Sequence, residues 1–208
     1  MTNEELWRLF PIILSEHNPI WLNRYSIEKQ MLEQAVGIQN IVRINHFGST
    51  VVPNLIAKPT IDILLEIKDD TDTERLISNI ELVGYIYKEQ PNNPAPHMMF
   101  MKGYTPQGFK EQVFHLHVRY NGDWDELYFR DYLLTHPEIA EEYGQLKLGL
   151  MNKYKHNRDA YTNGKADFIR RITMLARVDT QKKHQRTVDS ITTEQTHFPS
   201  KVTNIFYK

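Results

Sequence analysis

The segment from His46 to Ile67, HFGSTVVPNLIAKPTIDILLEI, leaves few ways to fold. Its second half, TIDILLEI, alternates so that Ile61, Ile63, Leu65 and Ile67 share one face of a strand and Asp62, Leu64 and Glu66 share the other. One face is expected to be core and the other the working face. Ahead of it, Gly48 stops the alternating stretch IVRINHF, and Ser49 and Thr50 offer hydroxyls and backbone N–H groups where a helical turn can begin, which makes a ready anion site. Pro53 and Pro59 bracket a connection with room for a turn or so of helix, and Lys58-Pro59 biases the chain to enter the strand extended. An acid on a strand's inner face is costly unless paired or metal-bound, so Asp62 reads as functional, against the plainer alternative of a salt bridge with Lys58 or Arg130.

Periodicity sets the rest of the chain around this segment. Helices are predicted over 3–10, from Ile20 to Leu32 or beyond with Gly37 as the stop, and over 73–82 with Gly84 following. Tyr85 to Lys88 returns as a strand, PNNPAP at 91–96 is a loop, and HMMFMKGY and EQVFHLHVRY read as a hairpin joined by a loop of Thr105 to Lys110. Beyond Asp123 helical spacing takes over, with a stripe of Trp124, Leu127, Tyr128, Tyr132 and Leu133 closed by His136-Pro137, then helices from Pro137 to Tyr154 and from Arg158 to Val178. Two hundred and eight residues suffice for one well-buried core, so residues 1–178 are expected to form a single α/β domain and residues 179–208 a polar, partly mobile appendage. Glu66, at the end of its strand, is expected in solvent.

The charge balance narrows the partners. Lysine plus arginine number 25 against 26 acids, which gives no push toward nucleic acid or an anionic membrane. Without cysteine, disulfides, thiolate nucleophiles and Cys-ligated zinc are excluded, as suits a reducing compartment. The N-terminal MTNEELWRLF carries acids and no long apolar run, so neither a signal peptide nor a membrane span is expected, and the expected location is the cytoplasm. The oligomeric state is left open.

Several stretches, in order, resemble the GrpB family, which is assigned to the nucleotidyltransferase superfamily fold: HNPIW at 17–21, HFGSTVVPNLIAKPTIDIL at 46–64, HLHV at 115–118, FRDYLLTHPE at 129–138 and YTNGKADFI at 161–169. The resemblance spans roughly residues 15 to 175. It implies a mixed β-sheet with flanking helices and a C-terminal helical layer, in which a Gly-Ser turn delivers a nucleotide's phosphates to metal-bound carboxylates. Gly48, Ser49 and Asp62 map onto that pattern. Leu64 stands where the superfamily places its second acid, and His115-Leu116-His117 stands in the later strand where a third would be sought.

Those departures shape the expected chemistry. Asp62 and Glu66 are separated by about 13 Å of strand at about 3.3 Å per residue, too far to share a metal, so a second ligand must come from another strand, with His46, His115, His117 and Glu111 as candidates. His115 and His117 present two imidazoles to one face, and with Asp62 they would form a two-histidine, one-carboxylate set for a divalent metal: magnesium or manganese by resemblance, zinc by ligand type. Flanking polar residues of a hairpin are the plainer reading of both histidines. Ser49, Thr50, Gly48, Lys58 and Lys165 are the expected phosphate-binding set, with Lys147 and Arg158 as further helical cations, Arg130 neutralising transferring phosphate oxygens, and Tyr161 or Tyr132 capping the pocket. Three functions are then expected to compete. One is metal-assisted nucleotidyl or phosphoryl transfer to a small acceptor; a second is a non-catalytic binding module for a nucleotide or phosphorylated metabolite, favoured by Leu64; a weaker third is histidine-centred, metal-activated hydrolysis.

Overall fold

The computed structural model describes residues 2–195. They are organised by a mixed five-stranded sheet of β1 (Ile41–Phe47), β2 (Thr60–Ile67), β3 (Ile86–Glu89), β4 (Met98–Thr105) and β5 (Gly108–Tyr120), in the order β1-β2-β5-β4-β3. β2 and β5 pair in parallel, and the other neighbours are antiparallel. This is the expected α/β fold.

The helices begin and end where side chains satisfy their free backbone groups. Thr2 and Glu5 form a capping box for α1 (Asn3–Leu9), and the Asn18 side chain accepts from Ile20 N–H at the start of α2 (Ile20–Val36), which Gly37 ends at φ +83°. Asp72 caps α3 (Thr73–Leu82), and Pro137 opens α5 (Pro137–Tyr154) directly after α4 (Asp125–Thr135). The predicted helix from Arg158 to Val178 is two helices, α6 (Arg158–Asn163) and α7 (Ala166–Gln195), divided at Gly164 and Lys165. α7 continues past residue 178 into the stretch read as an appendage, and the end of that stretch, 196–208, lies outside the described residues.

α2 and α3 cover one face of the sheet. Ile61, Ile63, Leu65 and Ile67 are wholly buried there with Leu116, Val118, Leu32 and Ile80, and each such aliphatic side chain contributes about 1.5–3 kcal/mol. The other face lies under α4 to α7, where Leu64 packs with Phe47 and Leu127, so the non-polar residue at the second acid position belongs to the core.

Glu66 corrects an expectation. Its side chain is wholly buried and accepts from both Arg43 donors, from Gly122 N–H at 3.1 Å and from Trp124 Nε1 at 2.9 Å. It locks the loop before α4 to the sheet. The predicted loop of 105–110 also contracts, because β4 and β5 run on to Thr105 and Gly108. The added length is accommodated by a bulge: between the pairs Lys102↔Phe114 and Tyr104↔Phe109, residues 110–113 of β5 stand opposite Gly103 alone. Glu111 sits at φ +59° within it and Gly103 faces it at φ +89°, where a Cβ would lie 2.6 Å from the Gln112 carbonyl oxygen.

Candidate functional site

Strand register brings the turn and the acid together. Phe47 pairs with Asp62, so the chain leaving β1 turns at Gly48 directly over that carboxylate; Gly48 lies at φ +76°, and a Cβ there would collide with Asp62 Oδ2. The parallel partner of Asp62 on β5 is His115, whose Nδ1 lies 3.3 Å from Asp62 Oδ1. Burial by itself would raise the Asp62 carboxyl. The hydrogen bond and charge of His115, with the charges of His117 and Lys58, outweigh it and hold the group below the usual carboxylate range. A quarter of the side chain (25%) remains exposed, so a solute can reach it.

Cations from separate elements gather near this acid. Lys147 of α5 is almost wholly buried, with 3% of its surface exposed, and its ammonium donates to Ser49 Oγ at 3.0 Å and to the Ile56 carbonyl. Burial, reinforced by repulsion from Lys165 and Lys58, lowers its pKa to about 7. Lys165, at the break between α6 and α7, and Lys58, ahead of β2, lie 4.6 Å and 5.9 Å from the centroid of the buried Tyr161 ring. Burial and then Lys58 lower Lys165 to about 8, and burial and then Arg158 lower Lys58. Arg158 donates to the Phe10 carbonyl at 3.0 Å and to the Tyr104 hydroxyl at 3.4 Å. With Lys58 it lines a neighbouring cleft of about 350 Å³, walled by Trp21, Phe109, Glu111 and Gln112.

Lys58 and Lys165 therefore lie within electrostatic reach of Asp62, with Lys147 beside both of them and Arg158 beside Lys58. Each lysine pays for burial with a lowered affinity for its own proton, and an anion placed among them would reverse that shift.

Gly48, Ser49, Asp62, Lys58, Lys165 and His115 from the expected set meet at this place, and Tyr161 forms its wall. Other residues do not. The Thr50 hydroxyl donates to the Thr60 carbonyl at 3.2 Å and lies 2.9 Å from His46 Nε2, so it braces the turn from inside. His46 stacks on Tyr25 on the α2 face, opposite Asp62, and burial lowers its pKa to about 4. Arg130 spends its guanidinium at the β1 edge, on Asn45, the His46 carbonyl and Asp131, and lines a separate cleft of about 390 Å³ together with Tyr132. Two residues of the site were not singled out in sequence. Tyr104 was unmarked, although a glycine interrupting the alternation of MFMKGYT hinted at a bulge; Lys147 was one helical cation among several.

His115 Nδ1 faces Asp62 and its Nε2 lies 2.7 Å from the Tyr104 hydroxyl, so both ring nitrogens are engaged. His117 packs edge-on against Phe47, burial lowers its pKa to about 4, and its Nδ1 has no hydrogen-bond partner. Among the described residues no group of three His, Asp or Glu side chains comes together as metal ligands. Asp62, His115 and His117 as placed do not form a three-ligand site for a metal ion.

Fold and site together define an α/β protein in which a glycine turn passes over a lone acid beside a cluster of partly buried cations. The chain belongs to the GrpB family: residues 11–174 match the family described as GrpB protein. It is 38% identical over 157 residues to a UPF0157 protein of Pseudomonas aeruginosa, covering 74% of this chain and 63% of that protein, so about a third of the relative's length lies outside the match. It is 32% identical to the glutamate-rich protein GrpB of Alkalihalophilus pseudofirmus, over 77% of this chain and 93% of the relative. The crystal structure of GrpB from Enterococcus faecalis superposes with a TM-score of 0.70 at 32% identity, covering 79% of this chain and 96% of that one. No helix among the described residues is long and apolar enough to cross a membrane.

Proposed function

We propose that the protein binds a phosphorylated small molecule, of the size and charge of a nucleotide, beside the Gly48-Ser49 turn, among Lys58, Lys147 and Lys165. The observation that carries this reading is the gathering of Lys58, Lys147 and Lys165 beside Asp62, with Arg158 next to Lys58, each lysine pKa lowered by burial first and by a neighbouring cation second. Uncompensated buried cations are unfavourable in the free protein, and the ligand that removes the penalty is an anion carrying more than one charge. The adjoining cleft at Lys58 and Arg158 has room for an organic moiety attached to the phosphates.

Titration calorimetry with pyrophosphate and with ATP, in buffer containing a chelator, tests the proposal. Stoichiometric binding that weakens at least tenfold in Lys165→Met and Lys147→Met is expected, the loss of about 1.4 kcal/mol for a charge-assisted contact. Absence of binding to either anion in the wild type overturns it. Metal-assisted nucleotidyl transfer stands as the second reading, favoured by the placement of Asp62 directly beneath Gly48; it requires that magnesium or manganese strengthen ATP binding and that Asp62→Asn abolish the gain.

A further inference from the structure

Asp62, His115 and Tyr104 form a chain of contacts with the polarity of an activated nucleophile. Asp62 Oδ1 faces His115 Nδ1 at 3.3 Å, which fixes the tautomer with the proton on that nitrogen and leaves the Nε2 lone pair to accept from the Tyr104 hydroxyl at 2.7 Å. The imidazole and phenol rings lie nearly parallel, with 12° between their planes. A hydroxyl, a base within hydrogen-bond reach and a third group orienting the base is the general arrangement by which weak nucleophiles are activated. The backbone is bent to produce it. The bulge opposite Gly103 turns Tyr104 toward His115, whereas regular pairing would continue the alternation that places Lys102 on the α2 face with Glu28. Phe10 and Phe109 hold the phenol ring from its other sides, and Arg158 Nη2, 3.4 Å from the hydroxyl, brings a guanidinium to where a phosphoryl oxygen would sit.

We infer that Tyr104 is a nucleophile activated by the His115–Asp62 pair, and that its hydroxyl accepts a phosphoryl or nucleotidyl group from a phosphoanhydride. This rests on the phosphate reading for the identity of the electrophile but not for the activation itself. In the step, Tyr104 Oη forms a bond to phosphorus, the bond from phosphorus to the bridging oxygen breaks, and that oxygen leaves with the electron pair on the departing phosphate. The phenolic proton passes to His115 Nε2, and the Asp62 carboxylate stabilises the imidazolium. Burial raises the Tyr104 phenol above its ordinary pKa despite Arg158, so the hydroxyl stays protonated at rest and is activated only as its proton moves to His115. The acceptor of the group in a following step would enter by the cleft that Arg158 lines.

The test uses an uncharged electrophile, so that it succeeds or fails independently of the cationic site. The full chain is incubated with phenylmethanesulfonyl fluoride; attack forms the Oη–S bond, the S–F bond breaks, fluoride departs and the proton goes to His115. Intact-mass measurement and peptide mapping are expected to show one adduct, on Tyr104, forming faster than on any other tyrosine of the chain. Asp62→Asn and His115→Asn, each checked for a native circular dichroism spectrum, are expected to slow it by about a hundredfold, the low end of what base assistance contributes. Tyr104→Phe is expected to abolish it. No adduct, an adduct spread over several tyrosines, one on Lys147 or Lys165 in place of Tyr104, or an unchanged rate in Asp62→Asn overturns the assignment. Anion binding lost in the calorimetric experiment with Tyr104 labelling intact would instead reject the phosphate reading alone.

Discussion

Replacing Lys147 with methionine removes one buried ammonium, and the protons that accompany anion binding should count the loss. With a pKa of about 7 in the free protein, Lys147 is only about 10% protonated at pH 8; an anion at Ser49 that restores the ordinary lysine value draws in about 0.9 proton there, against about 0.2 at pH 6.5. The assay is titration calorimetry with pyrophosphate in two buffers of different ionisation enthalpy, where the dependence of heat on buffer reports the protons taken up. Pyrophosphate exchanges protons of its own, and Lys165, lowered to about 8, adds a share. Both contributions are common to the wild type and Lys147→Met, so the difference between the two isolates Lys147. An excess of about 0.9 proton in the wild type at pH 8 that shrinks to about 0.2 at pH 6.5 is expected. Equal uptake by the two proteins at pH 8, or an excess of the same size at both pH values, would refute the argument that this ammonium is held uncharged by burial and charged by its ligand.

Further measurements probe the same structure. Lys147→Met should stabilise the ligand-free protein by about 1–4 kcal/mol, the gain typical of exchanging buried ionic groups for apolar ones, read as a higher urea midpoint. Because the folded pKa of Lys147 is depressed, the unfolded chain binds more protons between about pH 7 and the ordinary lysine value; the free wild type should therefore gain thermal stability as pH rises through that window, with a flatter profile in Lys147→Met. Gly48→Ala places a Cβ against Asp62 at positive φ and should cost about 1–3 kcal/mol in urea unfolding while weakening pyrophosphate binding. Glu66→Gln leaves Arg43 without its carboxylate and loses the charge-assisted bonds to Gly122 and Trp124, for an expected cost of about 2–3 kcal/mol and an altered Trp fluorescence.

Local pattern was enough where a residue's fate depends on its neighbours in the chain. The alternation of TIDILLEI defined β2, and Pro137 marked the start of α5. The link between the glycine turn and Asp62 was also legible, from their spacing and from the family resemblance, whereas the antiparallel register that sets Phe47 opposite Asp62 was not. What depends on distant segments was not. Glu66 is buried only because Gly122 and Trp124, more than fifty positions later, close over it, and nothing in TIDILLEI reports that cover. The hydroxyl of Thr50 and the guanidinium of Arg130 have the right chemistry but are consumed by nearby backbone carbonyls, which residue type alone does not reveal. The break at Gly164 passed unnoticed because the apolar spacing on either side remains helical, while a Cβ at that glycine would lie 2.5 Å from Leu150 Cδ2 on α5.

The pairing of Phe47 with Asp62 and of Asp62 with His115 means that the place where the chemistry would happen is written into the ladder of the sheet rather than into any loop. A residue gained or lost within β1, β2 or β5 would swing the acid or its imidazole through the sheet to the side occupied by α2, extinguishing the assembly at a stroke. Length changes in the 90–97 loop between β3 and β4 would leave that part of the ladder in step, so the chain can be remodelled at that joint and is held to count inside β1, β2 and β5.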